Sequence, residues 1–174
     1  MSELDEAWAF ALAEAEARAR LSGRADIAAY LALRKSNDFL RQTGIHWLTE
    51  TLETLAAHAN RSGASIQISK QDAHRFRVGN ATMVGSLLTL RSGVRELSVE
   101  AGWPRAPKDG FVHGGALARG HIKHLGIKSA SETLLLVLSQ QGTPRWVLSD
   151  KRGKQTGLHE ANLRAHIAIL IAHR

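Results

Sequence analysis

Histidine is the side chain best suited to metal binding or proton transfer near neutral pH. Three of the nine histidines, His113, His121 and His124, fall within residues 102–126. Their spacing argues against a metal centre. On a strand, His121 and His124 are an odd number of residues apart and point to opposite faces. Glycines at 114, 115, 120 and 126 disfavour a helix that would bring them together. "HEANLRAH" lacks the HExxH interval, and the chain has no cysteine. A zinc site would therefore need ligands from separate segments. No metal and no cofactor is expected. In the tail, His159, His166 and His173 recur at seven-residue spacing beside Leu163 and Leu170. On a helix this is either a pH-sensitive contact or the border of a buried stripe.

Nucleophilic chemistry has no complete motif. Ser86 in "VGSLL" lacks the G-x-S-x-G elbow and sits inside an expected strand. Asp109 near His113, and Asp150 near a basic turn, have no spacing that requires a triad. No catalytic residue is assigned.

Anion binding is better supplied. "GKQT" in "SDKRGKQTGL" (149–158) matches the end of a P-loop, but Leu148 stands where the pattern needs glycine. A weaker form of the argument survives. Lys151, Arg152 and Lys154 lie on a Gly-containing turn, expected just before a helix capped by Thr156, whose free N–H groups would favour an anion. Arg75 and Arg77 flank Phe76. Arg119, His121 and Lys123 alternate along one face of an expected strand. Before that strand comes "WPRAPKDG", a loop stiffened by two prolines. Trp103, Arg105, His113 and His121 are thus a candidate pocket for an anionic or aromatic ligand. The alternative is a wide corner whose Trp103 covers the edge of the core.

The elements that must position these groups follow from periodicity. Residues 3–62 read as three helices. The first carries Leu4, Trp8, Ala11 and Ala15, with Ser2 as cap. The second runs from about Asp26, with Ile27, Tyr30, Leu31 and Phe39 buried, and ends at Gly44. The third buries Ile45, Leu48, Leu52, Leu55 and Ala59. From Ser65 the period becomes two. "TMVGSLLTL" and "RELSVEA" should pair across "RSGV", with Leu97, Val99 and Ala101 inward and Glu96, Ser98 and Glu100 wet. "ETLLLVLS" does not alternate, so it is expected to be covered on both sides. The tail is expected to form a buried closing helix with a small-residue stripe, Ala161, Ala165, Ala168 and Ala172. The expected fold class is α+β: N-terminal helices (1–63), an antiparallel sheet of about six strands (65–150) and a closing C-terminal helix (156–173), all one domain over 1–174.

The net charge is +7 and unevenly spread. Residues 1–64 hold seven basic and nine acidic side chains; residues 65–174 hold sixteen and seven. A basic β half implies an anionic partner, nucleic acid or another polyanion, or a phosphorylated ligand. The acidic start of the chain is unlike a signal peptide, and the longest aliphatic run, Leu134 to Leu138, is too short to span a bilayer. The expected compartment is the cytoplasm, with no membrane partner. The reading is a non-enzymatic binding module for an anionic partner. Alternatives are a protein-interaction or regulatory module acting through its helices as a homo-oligomer, and an enzyme with a site around residues 103–124.

Overall fold

The computed structural model describes residues 3–172. Ser2 and His173 lie outside the described residues. Two helices, α1 (Glu3–Leu21) and α2 (Ala25–Arg61), precede seven strands: β1 (Gln67–Val78), β2 (Ala81–Ser92), β3 (Arg95–Trp103), β4 (Ala118–His124), β5 (Glu132–Leu138), β6 (Pro144–Ser149) and β7 (Gln155–Gly157). Helix α3 (Glu160–Ile171) closes the chain. The strands form one antiparallel meander in sequence order, so the α+β reading holds.

The expected second and third helices are one element, because Gly44 does not end the first of them. Glycine inside a helix costs about 1 kcal/mol relative to alanine. Here the cost is offset by close approach. A Cβ at Gly44 would come within 2.6 Å of the Leu136 side chain on β5. From β6, Trp146 Nε1 donates to the Gly44 carbonyl at 2.7 Å. Beyond Gly44, Ile45, Leu48, Leu52 and Leu55 are buried on the sheet as expected. Before it, α2 packs against α1 through small residues. Leu12, Ala19 and Ala28 are buried there, while Leu4, Tyr30 and Phe39, expected inside, are exposed. The reason is geometric: this hairpin has only one partner for each helix, so only one narrow seam is covered.

Helix α3 lies on the same sheet face as α2. Leu163, Ile167 and Leu170 pack into the core with Leu48 and Leu52. His166 turns inward rather than bordering the seam. Its Nδ1 lies 2.9 Å from His124 Nε2 and its Nε2 3.0 Å from Glu132 Oε2. Burial, then the neighbouring His166, pushes the His124 pKa down. The alanine stripe faces solvent, and His159 is exposed. Thr156 is not the helix cap. It sits in β7, paired with Leu148, and the helix starts after His159, whose N–H donates to Asn162 Oδ1.

Two strand expectations also change. On β5, Leu134 and Leu136 are fully buried, but Leu135 and Val137 are only half covered. Their face has no helix over it. On β3, Leu97, Val99 and Ala101 point to the helices as expected, yet Glu100 on the other face is buried too. The cause is a bend in the β1–β2 hairpin. A bulge falls between Gln71 and His74, with Ala73 at φ 55°. Gly85 pairs with Gly102. At either glycine a Cβ would strike backbone, 1.9 Å from Ala101 O and 2.6 Å from Val84 O respectively. The hairpin tip folds over the open face until Phe76 of β1 meets His121 of β4, ring centroids 5.9 Å apart. Two strands separate these residues, so a flat sheet would hold their backbones roughly 14 Å apart or more.

Gly102→Ala tests this bend. The added methyl meets backbone that has nowhere to move, so stability should fall by about 2–3 kcal/mol. Urea unfolding of the two chains measures it; a change below about 0.5 kcal/mol would refute the close approach.

Candidate functional site

The corner between β3 and β4 is fastened to both N-terminal helices by cations. Trp103 is buried, and the Arg105 guanidinium lies over its ring, 3.4 Å from the centroid. Arg105 Nη1 pairs with Asp5 Oδ1 of α1 at 2.6 Å. Burial lowers the Arg105 pKa, and Asp5 opposes that shift. From α2, Arg34 Nη2 donates to the Arg105 carbonyl at 2.9 Å and Arg41 Nε to the Leu117 carbonyl at 2.7 Å. Asp38 accepts from both Arg41 Nη1 (2.7 Å) and Trp8 Nε1 (2.8 Å). Trp103 does cover the core edge, as the corner alternative holds.

Three of these residues, Asp5, Trp103 and Arg105, wall a pocket of about 250 Å³. It exists because the β1–β2 hairpin bends toward the open face, away from α2. The wedge left behind is bounded by Phe39, Ile45 and Thr49 of α2, by Asp5 of α1, by Lys70, Asp72 and Ala73 of β1 and by Ser86 of β2. Trp103 and Arg105 complete it. The surface is mainly apolar, with one buried cation. Ser86 is only 6% exposed, and its Oγ has no hydrogen-bond partner among the described residues. Phe39 stands at the mouth, 67% exposed.

The remaining candidates lie elsewhere. His113 is exposed on a single 3-10 turn, its ring 4.8 Å from that of Phe111. His121 shares the open face with Arg119 and Lys123, as the alternation predicts, and two of the three, His121 and Lys123, meet a carboxylate there rather than an empty groove. Glu100 Oε1 accepts from Lys123 Nζ at 2.6 Å and lies 3.1 Å from His121 Nδ1; Oε2 lies 3.0 Å from His74 Nε2. Burial alone would raise the Glu100 pKa. The bonds from His121, Lys123 and His74 outweigh it and hold the carboxyl at about 2. Arg75 reaches toward Asp109 at 3.5 Å, and Arg77 is exposed at the same end of the sheet. Lys151, Arg152 and Lys154 are exposed on the β6–β7 turn at the opposite end. There Asp150 Oδ1 accepts the Arg152 and Lys154 N–H groups, each at 2.8 Å. With α3 starting only at Glu160, its dipole does not serve that turn. Among the described residues no group of three or more histidine, cysteine or acidic side chains could hold a metal ion.

Of the four pocket candidates, the structure brings together Trp103 and Arg105 and leaves out His113 and His121. Ser86, Asp5, Phe39 and Thr49 were not foreseen as pocket residues. One signal was readable: Ser86 shares its face of the strand with Val84, Leu88 and Leu90, a polar group in an apolar row. Comparison of the chain with protein-family models, curated proteins and solved structures gives no match in any of the three. The site's meaning therefore rests on its own geometry.

Glu100 makes a pH prediction. Its folded pKa is below the ordinary 4.5, so the folded chain binds fewer protons than the unfolded one between the two values. The stabilisation is complete above pH 4.5 and is lost as pH falls toward 2, in all about 3 kcal/mol. Glu100→Gln should remove that slope. Denaturant midpoints across this range check it; parallel curves for the two chains would refute it.

Proposed function

We propose that this chain is a non-enzymatic binding module for a small anionic ligand, held in the pocket beneath the middle of α2. One observation carries the reading. Ser86 keeps a hydroxyl buried without a partner, in the wall of a cavity that also holds the Arg105 guanidinium. A buried, unsatisfied hydroxyl costs about 1–3 kcal/mol, and such a cost calls for an explanation. A ligand accepting from Ser86 Oγ supplies one. An apolar cavity with a few convergent polar groups is the ordinary form of a ligand site. The cavity's size suits a single-ring ligand. The net positive charge of the β half adds long-range attraction for any anion. The seven basic candidates fall in three separate places, which favours a compact ligand over nucleic acid. The absence of cysteine supports a reducing compartment, such as the cytoplasm. Among the described residues no helix is long and apolar enough to cross a membrane.

Ser86→Ala separates stability from binding. It should raise stability by about 1 kcal/mol, because the unpaired hydroxyl is gone. It should weaken binding of benzoate, used as the probe, for which a Kd of about 1 mM corresponds to about −4 kcal/mol. NMR titration of the isotope-labelled chain reads the site through the Trp103 and Thr49 resonances. Shifts absent from both, up to saturating probe, would overturn the reading.

A second reading rests on a different observation. Phe10, Leu21, Tyr30 and Leu33 are all more than half exposed along the α1–α2 hairpin. A second copy of the chain, packing hairpin against hairpin, would cover them symmetrically. Light scattering at tens of micromolar protein should then give the mass of a dimer; a monomer mass would refute it.

A further inference from the structure

We infer that the anion taken by this pocket is a carboxylate on a compact apolar body, and that it enters by replacing Asp5 on Arg105, releasing the start of α1 as it binds. The inference deepens the proposed binding function and depends on it.

Three observations lead here. First, a carboxylate already occupies the position. Asp5 Oδ1 sits 2.6 Å from Arg105 Nη1, and both residues wall the pocket. Arg105 is only 9% exposed, and its guanidinium is held over the Trp103 ring, 3.4 Å from the centroid. Whatever displaces Asp5 must bring an equivalent charge, since an unpaired buried cation is strongly unfavourable. A ligand carboxylate does so one for one, with the planar shape that suits a guanidinium fork. A phosphate would bring a second charge into a wall that also holds Asp72, with Lys70 as the remaining lysine or arginine.

Second, α1 is cheap to release at its start. Leu4 and Phe10 are exposed, and the buried residues of the helix, Leu12 and Ala19, come later. The contacts that fasten residues 3–8 include Asp5 on Arg105, Trp8 Nε1 on Asp38 and the Arg34 guanidinium over the Trp8 ring at 4.7 Å, which are polar or cation–π. A segment with few buried apolar groups opens at low free energy.

Third, the pocket has a place for each part of such a ligand. Arg105 takes the carboxylate, Ser86 Oγ can donate to its second oxygen, and Trp103, Ile45 and Phe39 receive the apolar body. Asp5 is then an internal competitor. The apparent affinity is reduced by the fraction of molecules in which it occupies Arg105.

The test compares benzoate with benzyl alcohol, which has the same ring and no charge. In the unaltered full chain, benzoate should raise amide exchange several-fold over residues 7–12, whose N–H groups bond the carbonyls of residues 3–8. Benzyl alcohol should bind without doing so. Asp5→Asn should tighten benzoate by about tenfold, the size expected if Asp5 occupies Arg105 in about nine molecules of ten, and leave benzyl alcohol within about twofold. If both probes bind yet α1 exchange is unmoved by benzoate, the inference is overturned and the binding function stands. The inference is overturned in the same way if Asp5→Asn folds and tightens both probes equally or neither. If neither probe binds, the binding function itself fails and the inference with it. Should Asp5→Asn not fold, the exchange comparison in the unaltered chain decides alone.

Discussion

The distance at which α2 crosses the sheet governs the rest of this molecule. A Cβ at position 44 would meet the Leu136 side chain at 2.6 Å, and Trp146 Nε1 reaches the Gly44 carbonyl across the same close approach. With glycine there, the helix axis drops onto β5 and β6. The apolar row from Ile45 to Leu55 then interlocks with the core. Because α2 is a single rigid rod of 37 residues, fixing it at Gly44 also fixes its other half. That half carries Arg34, Asp38 and Arg41, the groups that hold α1 and the β3–β4 corner. A helix ending at Gly44 would have left these groups on a separate segment with no defined direction.

The attachment of α1 and of the first half of α2 to the β3–β4 corner is ionic and aromatic rather than aliphatic. Buried ion pairs contribute little net stability, since desolvation offsets most of the attraction. What they supply is geometry. Arg105 must lie on Trp103 and face a carboxylate, and few other arrangements satisfy all three groups at once. The same principle orders the open face, where Glu100 draws His74, His121 and Lys123 into one cluster. It orders the underside of α3 as well, where His166 bridges His124 and Glu132. Sixteen of the 23 lysines and arginines are arginine, and that composition is only partly a surface property. Several of those charges serve as internal fasteners.

The period change at Ser65 and the alternation in the strands are legible because each strand faces a dominant core on one side. The α+β order and the antiparallel meander follow from them. The third helical stripe is legible for the same reason. Gly44 misleads because a glycine that ends a helix and one that lets a helix touch its neighbour look alike until the neighbour is known. The exposed Tyr30 and Phe39 mislead because periodicity marks a stripe without saying whether anything covers it. Thr156 misleads because a three-residue edge strand is too short to show alternation. At the site, Trp103 and Arg105 stand out by composition and position. Asp5 and Phe39 do not, since they reach the pocket from helices distant in sequence.

The pocket and the buried Glu100 have one origin. Gly85 and Ser86 are consecutive in β2 and present opposite faces of it. At Gly85 the missing side chain lets β2 press against Gly102, and the hairpin tip turns over the open face, closing Phe76 onto His121 and His74 onto Glu100. A sheet cannot bend toward one side without leaving the other. As the tip turns away, the helix face loses the strand that would have filled the space under Phe39 and Thr49. Ser86, at the hinge, is left looking into that space. A straight β2 would have packed this position against α2 and called for an apolar side chain there. The bend opens the space that Ser86 lines, so the close approach at Gly85 and the polar side chain at Ser86 belong to a single feature of the strand.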